Sequence, residues 1–415
     1  MTNVKEKRSF KVWLKDLYSK EGTKTVLSSL ACIFLGILVG LILLVVVALL
    51  NNEINANNIW RAFVIIFTGV FYNGTSIRIS IGIEALSMGN MLIRTTPLIM
   101  TGLSVAIAFK TGLFNIGAAG QYLMGTMTSL FIALSIPSSQ VPPLLIWFIA
   151  LLGGMAAGML WGAIPGLFKA LLGVNEVIIC IMTNWIAANV VSWAFSVSNL
   201  RNTPAGKTGY IYPTGSNGVR TPRLLLDKIL PGSWADGGII IAILIAIAMF
   251  IMLNKTTFGY ELRACGSNRN ASKYAGMNDK RNIVLSMAIA GGLAALGGSL
   301  YYLNGQTEFY WNTYMSLPGD GFNGIPVALL ANNNPIGTIF TALLLAYLKV
   351  GGSKLASFTK FNEFISDLMV AVIIYFAGFS RFIKGLLTTK KEQELIHSRI
   401  DPKKQKRENE KVKEA

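Results

Sequence analysis

The sequence predicts an all-α polytopic membrane protein with about ten transmembrane helices, arranged in two pseudo-symmetric halves that contain short or interrupted helices. Three observations carry that prediction. Of 415 residues, 53% are apolar and only 14% charged, against about one-quarter charged in soluble domains. Apolar stretches at 26–50, 92–109, 142–168, 174–196, 238–253, 282–302 and 364–380 approach or exceed the roughly 20 residues a helix needs to cross about 30 Å of hydrocarbon. These runs are continuous and lack the alternation over about ten residues that membrane β-strands show, which excludes a barrel.

Taken in order, residues 1–25 carry Lys5, Lys7, Arg8, Lys11, Lys15, Lys20 and Lys24. Phe10, Trp13, Leu14, Leu17 and Tyr18 recur there at helical spacing, so an amphipathic helix in the cytoplasmic interface is expected. The run from Val26 is too long for a signal-peptide core and has no small-residue cleavage pattern, so it is expected to remain as the first crossing. Residues 59–72 are apolar but short, which suits an external interfacial or half-buried helix. The segment 388–415 alternates Lys and Glu without an apolar stripe and reads as a frayed or disordered tail.

Both ends are rich in Lys and Arg and are expected in the cytoplasm. That requires an even number of crossings. Weaker segments at 117–137 and a pair of short elements, 322–332 and 335–350, parted by Asn332-Asn333-Asn334-Pro335, bring the count to ten and the membrane domain to 26–387. The loop 197–236 is then external despite its basic residues. It is either a solvated loop or one whose Arg201, Arg220 and Arg223 pair with acidic residues of an external delivery protein. The net charge of +17 reads as topology and contact with anionic lipid, not as nucleic-acid binding.

Catalytic and metal chemistry find no residues to carry them. Cys32, Cys180 and Cys265 form no closely spaced set, and His397, the sole histidine, lies in the charged tail. Ionisable groups within apolar runs are scarce, with Glu176 and Asp367 near helix ends and Asp320 at a break, so no proton relay is visible. No phosphate-cradling Gly-x(4)-Gly-Lys-Ser/Thr loop occurs, and the chain is not expected to hydrolyse ATP.

Two breaks interrupt the apolar pattern. The first, Lys110-Thr111-Gly112-Leu113-Phe114-Asn115-Ile116-Gly117-Ala118-Ala119-Gly120-Gln121, gathers glycines and amides. Unpaired backbone is tolerable at membrane depth only where protein or a wet cavity surrounds it. The second, Pro318-Gly319-Asp320-Gly321-Phe322-Asn323-Gly324, repeats the Phe-Asn pair beside glycine. Paired breaks in two halves point to a transport path between repeats. Phe114, Asn115, Gln121, Asn184, Phe322 and Asn323 are the candidate path residues, aromatic faces suiting a ring and amides a polar edge. Asn184 lies within an apolar helix, where it either faces the path or bonds a neighbouring helix. Gly153, Gly154, Gly158, Gly162, Gly291, Gly292, Gly297 and Gly298 recur at spacings that permit close helix packing.

The loop 254–281 carries six basic residues and is expected in the cytoplasm. Gly266 can supply a turn, Ser267 or Asn268 an N-cap, and Gly276 the residue after a helix end, which defines a two-turn helix over 264–276 held between two membrane helices. Here the pattern Phe-Gly-x(3)-Arg-Ala-x-Gly-x-Asn-x(2)-Ala-x(3)-Gly resembles the coupling loop of ABC importer permeases in the ribose, simple-sugar and purine-nucleoside branch. The segments Thr-Pro-Leu-Ile-Met-Thr-Gly-Leu, Gly-Leu-Phe-Asn-Ile-Gly-Ala-Ala-Gly-Gln, Asn-Glu-Val-Ile-x(3)-Met-x-Asn-Trp-Ile-Ala and Gly-Phe-Asn-Gly-Ile-Pro-Val-Ala-Leu-Leu-Ala-Asn-Asn-Asn-Pro-Ile-Gly agree with it in order. Together they cover about residues 90–350, and nucleoside-type permeases match best.

The resemblance implies a non-catalytic permease subunit of the bacterial plasma membrane that binds no cofactor. ATP and Mg would sit on a separate ATPase, whose groove receives Arg263, Ala264, Gly266, Asn268, Ala271, Tyr274 and Gly276. It further implies a second, non-identical permease, an extracytoplasmic lipoprotein that delivers the substrate to the external arginines, and a purine nucleoside as that substrate. Ribose or another simple sugar, or an ion-coupled transporter of another class, are the alternatives. Three positions depart from the family pattern: Ala119 stands where an acid is usual, Pro326 where a small residue is, and Ala331 where a glycine is.

Overall fold

The computed structural model describes residues 21–50, 54–72, 85–202, 204, 206–208, 218–311, 317–362 and 364–387. The expected amphipathic stripe from Phe10 to Tyr18, the tail 388–415 and residues 209–217 of the long loop lie outside the described residues. The helices are α1 Glu21–Leu50, α2 Ala56–Thr68, α3 Ala85–Lys110, α4 Ala118–Ser135, α5 Pro143–Leu167, α6 Glu176–Val197, α7 Leu226–Ile229, α8 Gly238–Lys255, α9 Thr257–Ser267, α10 Arg269–Tyr274, α11 Asp279–Tyr302, α12 Gly319–Leu330, α13 Pro335–Phe358, α14 Phe364–Ala377 and α15 Ser380–Leu387. Two short antiparallel strands, β1 Arg201–Asn202 and β2 Lys207–Thr208, pair Arg201 with Thr208. The chain is an all-α polytopic membrane protein.

Among the described residues, seven helices are long and apolar enough to cross a membrane: α1, α3, α5, α6, α8, α11 and α13. The expected weak crossing at 117–137 is the 18-residue α4, and the one at 364–380 is the 14-residue α14. The expected pair of short elements divides unequally. α12 has 12 residues, which at 1.5 Å per residue is about 18 Å, little more than half the hydrocarbon core. α13 has 24 residues, eight more than the 335–350 element expected. Asn334 caps its start by accepting from the Ile336 and Gly337 amides, and the helix continues through Gly351-Gly352 to Phe358, with Gly351 packed close to Gly69.

The chain divides into two compact units, residues 1–43 with 371–415, and residues 44–370. In the first, α1 approaches α14 so closely that a Cβ on Gly36 would lie 2.6 Å from the Ile373 Cα. In the second, α3 and α11 are the buried spans. α5 lies along α11 on the small-residue seam that the sequence suggested. A Cβ on Gly291 would fall inside the van der Waals shell of the Gly158 carbonyl oxygen and 2.9 Å from Gly162 Cα. α4 joins this seam where Gly125 meets Ala295.

The short apolar element expected at 59–72 is α2, which begins at Ala56 because the Asn55 side chain accepts from the Asn58 amide at 3.0 Å. It buries Ala62, Ile65 and Ile66 and leaves Trp60 and Phe67 exposed, a half-buried helix as its amphipathic pattern implies. Tyr347 of α13 donates to the Phe67 carbonyl at 2.7 Å and fixes its end.

Candidate functional site: two broken helices and an aromatic cavity

α3 ends at Lys110, and the chain runs without regular structure to α4 at Ala118. Gly112 takes a φ of +75°, a left-handed conformation in which glycine has no side chain to clash. The break is pinned on several sides. Thr111 Oγ1 meets Ser286 Oγ at 2.7 Å. Asn115 Nδ2 donates to Ser104 Oγ at 3.0 Å and to Gln121 Oε1 at 2.7 Å, and Gln121 Nε2 donates back to Asn115 Oδ1 at 3.1 Å. Asn184, reaching from α6, accepts from the Gly120 amide at 2.8 Å and donates to the Ile116 carbonyl at 3.0 Å.

A helix start leaves four amides without intrahelical partners, and Gly117 gives α4 no side-chain cap. Asn184 supplies one acceptor from another helix and also satisfies a carbonyl of the break. Asn115, Gln121 and Asn184 are all essentially inaccessible and are hydrogen-bonded to the protein, so in this conformation they hold the backbone. Asn184→Ala strands one buried donor and one acceptor, each costing about 1–3 kcal/mol. The purified variant is expected to unfold at a markedly lower temperature than wild type, as thermal denaturation in detergent will show.

The second break packs on the first. Gly321 of α12 lies so near α4 that a Cβ there would be 2.9 Å from the Ala119 amide nitrogen. Ala119, one of the departures from the family pattern, is thus part of the seam between the breaks. At the far end of α12, Asn332 and Asn333 adopt φ of 50° and 55°, which asparagine tolerates better than most residues. The Asn333 amide bonds back to Ala328 at 2.8 Å, so the Asn-Asn-Asn-Pro break is a tight reversal. Phe114, Phe322 and Asn323 are half-buried. The Phe114 ring packs on Phe109 at 5.2 Å between centroids and on no Phe322 ring among the described residues.

Beyond these candidates lies a feature the motif reading passed over. A cavity of about 310 Å³ is lined by Tyr302, Phe309, Tyr310 and Trp311, by Leu123 of α4, by Ala188 and Val191 of α6, and by the start of α12. Phe309 packs edge-on to Tyr302 at 5.1 Å and tilted on Phe195 at 5.6 Å. The β1–β2 hairpin borders the same segment: the Thr208 amide donates to the Phe309 carbonyl at 3.0 Å, Lys207 pairs with Glu308, and the Arg201 guanidinium lies 6.0 Å from the Trp311 ring centre. Hydrogen bonding to Glu308 raises the Lys207 pKa. The structure therefore sets Arg201 beside Trp311, one of the residues that line this cavity. The aromatic run from Tyr301 to Trp311 was its sequence signal, but aromatics past the end of an apolar helix ordinarily mark the interface of a membrane.

Arg223 lies within electrostatic reach of Asp236. Asp236 Oδ1 accepts from the Gly238 amide at 2.8 Å and caps α8, while Oδ2 is buried without a partner among the described residues. Burial pushes this carboxyl up to about 7, against the opposing pull of the Gly238 amide and Arg223. An unfolded aspartate titrates near 3.9, so the folded chain holds this proton where the unfolded chain has lost it. The contribution is fully present below about pH 4 and is lost as pH rises towards about 7. Asp236→Asn is expected to flatten this dependence, raising the melting temperature at pH 8 more than at pH 5.

The 254–281 loop differs from its expected form. Its first part is α9, 11 residues capped by Thr256, which accepts from the Gly259 amide at 3.0 Å. Gly266 lies inside α9 and makes no turn. Its missing Cβ admits the break after α3, for a Cβ there would be 2.8 Å from the Gly112 amide nitrogen. The two-turn helix expected over 264–276 is instead α10, six residues capped by Asn268, which accepts from the Ala271 amide at 3.0 Å. Gly276 follows it at φ +80°. Arg269 Nε pairs with Asp279 Oδ2 at 2.7 Å and ties α10 to α11. Arg263, Asn268, Ala271 and Gly276 are exposed, Ala264 and Gly266 half-buried, and Tyr274 is 92% exposed.

Residues 87–378 match the family model described as branched-chain amino acid transport system / permease component. The guanosine ABC transporter permease protein NupP of Bacillus subtilis (strain 168) is 39% identical over 310 residues, 74% of this chain and 86% of that protein. The nucleoside ABC transporter permease protein NupB of Lactococcus lactis subsp. cremoris is 38% identical over 301 residues, 71% of this chain and 80% of that protein. The glucose ABC transporter permease protein TsgB13 of Haloferax volcanii is 31% identical over 301 residues, 71% of this chain and 76% of that protein. No solved structure matches the chain. With both broken helices and the α9–α10 loop inside the matched residues, the chain belongs to this family of ABC transporter permease components.

Proposed function

We propose that the chain is the membrane-spanning permease subunit of an ATP-driven importer of nucleosides, purine nucleosides foremost. The observation that carries this reading is identity of 39% and 38% to permeases named for guanosine and for nucleosides, over 74% and 71% of the chain. A sugar permease is the second reading, favoured by the 31% identity to a glucose permease. In this account both chain ends and the α9–α10 loop face the cytoplasm of a bacterium, as their Lys and Arg content favours. ATP and Mg are bound and hydrolysed by a separate ATPase subunit, which grips α10 and the neighbouring Arg263 and Ala264. A second permease, non-identical to this one, completes the path, and a lipoprotein outside the membrane delivers the solute to the loop bearing Arg201, Arg220 and Arg223.

The solute passes beside the two breaks. Phe114, Phe322 and Asn323 are half-buried and available to it, while Asn115, Gln121 and Asn184 set the shape of the wall. Access alternates because ATP binding moves α10, which Arg269 and Asp279 couple to α11, while Gly266 couples α9 to the break. Reconstituted vesicles test the reading: uptake is expected only with ATP, the ATPase and the binding protein together. Uptake driven by an ion gradient through this chain alone would overturn it.

A further inference from the structure

We propose that the aromatic cavity formed by Tyr302, Phe309, Tyr310 and Trp311 is a nucleobase-binding site, the place where this subunit recognises the base of its solute; the inference rests on the nucleoside reading above. Its volume of about 310 Å³ falls at the lower end of the roughly 300–1,000 Å³ typical of small-molecule sites. Four aromatic side chains from a ten-residue stretch share its wall, and aromatic faces are what flat heterocycles stack on.

The polar groups narrow the ligand further. Trp311 Nε1 is buried and has no hydrogen-bond partner among the described residues. That nitrogen is shielded from the cavity, so Trp311 offers a ligand its ring surface and not its N–H. Pro318 and Gly319 also line the cavity. Gly319 opens α12 without a side-chain cap from Pro318, which leaves the Gly319 amide without an intrahelical partner. No carboxylate, amide, lysine or arginine side chain is among the described lining residues. Each hydroxyl of a free sugar is a donor as well as an acceptor, and among the described lining side chains only the Tyr302 and Tyr310 hydroxyls can accept. A flat ring that stacks on these aromatic side chains fits better than a polyol.

The hairpin at the rim adds a charge that such a ligand tolerates. Arg201 lies 6.0 Å from the Trp311 ring centre and Lys207 Nζ 5.3 Å from that of Tyr310. These cation–ring contacts restrain the Trp311 and Tyr310 rings.

The test uses the complete transporter in vesicles with two readouts. Photolabelling with 8-azidoguanosine is expected to place adducts on the peptide containing 302–311, suppressed by excess guanosine and not by ribose. In guanosine uptake, Trp311→Ala is expected to raise KM by roughly 5- to 100-fold, the range of a lost base–aromatic stack. Trp311→Phe, which keeps a ring and loses the N–H, should give a smaller rise. Photolabelling needs no variant, so a misfolded substitution cannot mask the result. Adducts confined to other peptides, or wild-type KM in both variants, would overturn the assignment while the nucleoside reading stands. Wild-type vesicles that neither transport nor label with the guanosine probes would overturn both.

Discussion

Vesicles carrying a chain in which residues 268–276 are replaced by a Gly/Ser linker are expected to lose all solute-stimulated ATP hydrolysis while the chain still inserts. α10 is six residues long, too short to be stable alone. It persists because Asn268 caps it and Arg269 ties it to Asp279 at the start of α11. A flexible linker removes both restraints and the exposed Tyr274 at its end, so force applied there reaches neither α9 nor α11. The replacement must begin after Ser267, because Cys265 is buried in a cluster with Leu113, Ala170, Cys180 and Ile283 and Gly266 packs on the break after α3. Undiminished stimulation would remove α10 from the coupling mechanism.

Gly291→Val is expected to cost most of the folded protein. Gly291 faces backbone atoms of Gly158 and Gly162, and Gly162 in turn faces the Met287 carbonyl. Backbone cannot rotate away as a side chain can, so α5 and α11 must separate along their seam. Overpacking a tight interior costs about 1–3 kcal/mol and occasionally more; a clash with fixed backbone belongs at the upper end. Detergent extraction followed by size-exclusion chromatography should show aggregate in place of a monodisperse peak. Gly385→Ala in α15 is the control, with nothing within 4 Å of its added Cβ. An exposed helix interior gains roughly 0.5–1 kcal/mol from such a change. Equal behaviour of the two variants would contradict the packing account.

The long spans were legible because continuous hydropathy is a local signal. α5 and α11 differ from their expected bounds by three residues or fewer at either end. The α5–α11 seam was legible too, since glycines every four residues on an apolar helix have one common use. What escaped the sequence was long-range. Gly266 suggested a turn because conformational freedom is what glycine usually signals; its actual requirement is the absence of a Cβ against Gly112, 154 positions earlier in the chain. Asn184 needed a partner, but that it caps α4 depends on a contact 64 positions away. The cavity combines residues of α4 and α6 with Tyr302, residues 309–311 and residues 317–319, and no local pattern links them. Arg201 read as an external basic residue, solvated or paired with a delivery protein, and its place beside Trp311 follows only from the hairpin register.

Import of nucleosides is the central claim, and competition for uptake tests it most directly. Vesicles or cells bearing the complete transporter would be given labelled guanosine with an excess of unlabelled guanosine, uridine or ribose. Strong competition by guanosine, weaker competition by uridine and none by ribose is the predicted order. Absence of guanosine uptake, with ribose or glucose carried in its place, would contradict the account and move the chain to the sugar-transporting permeases.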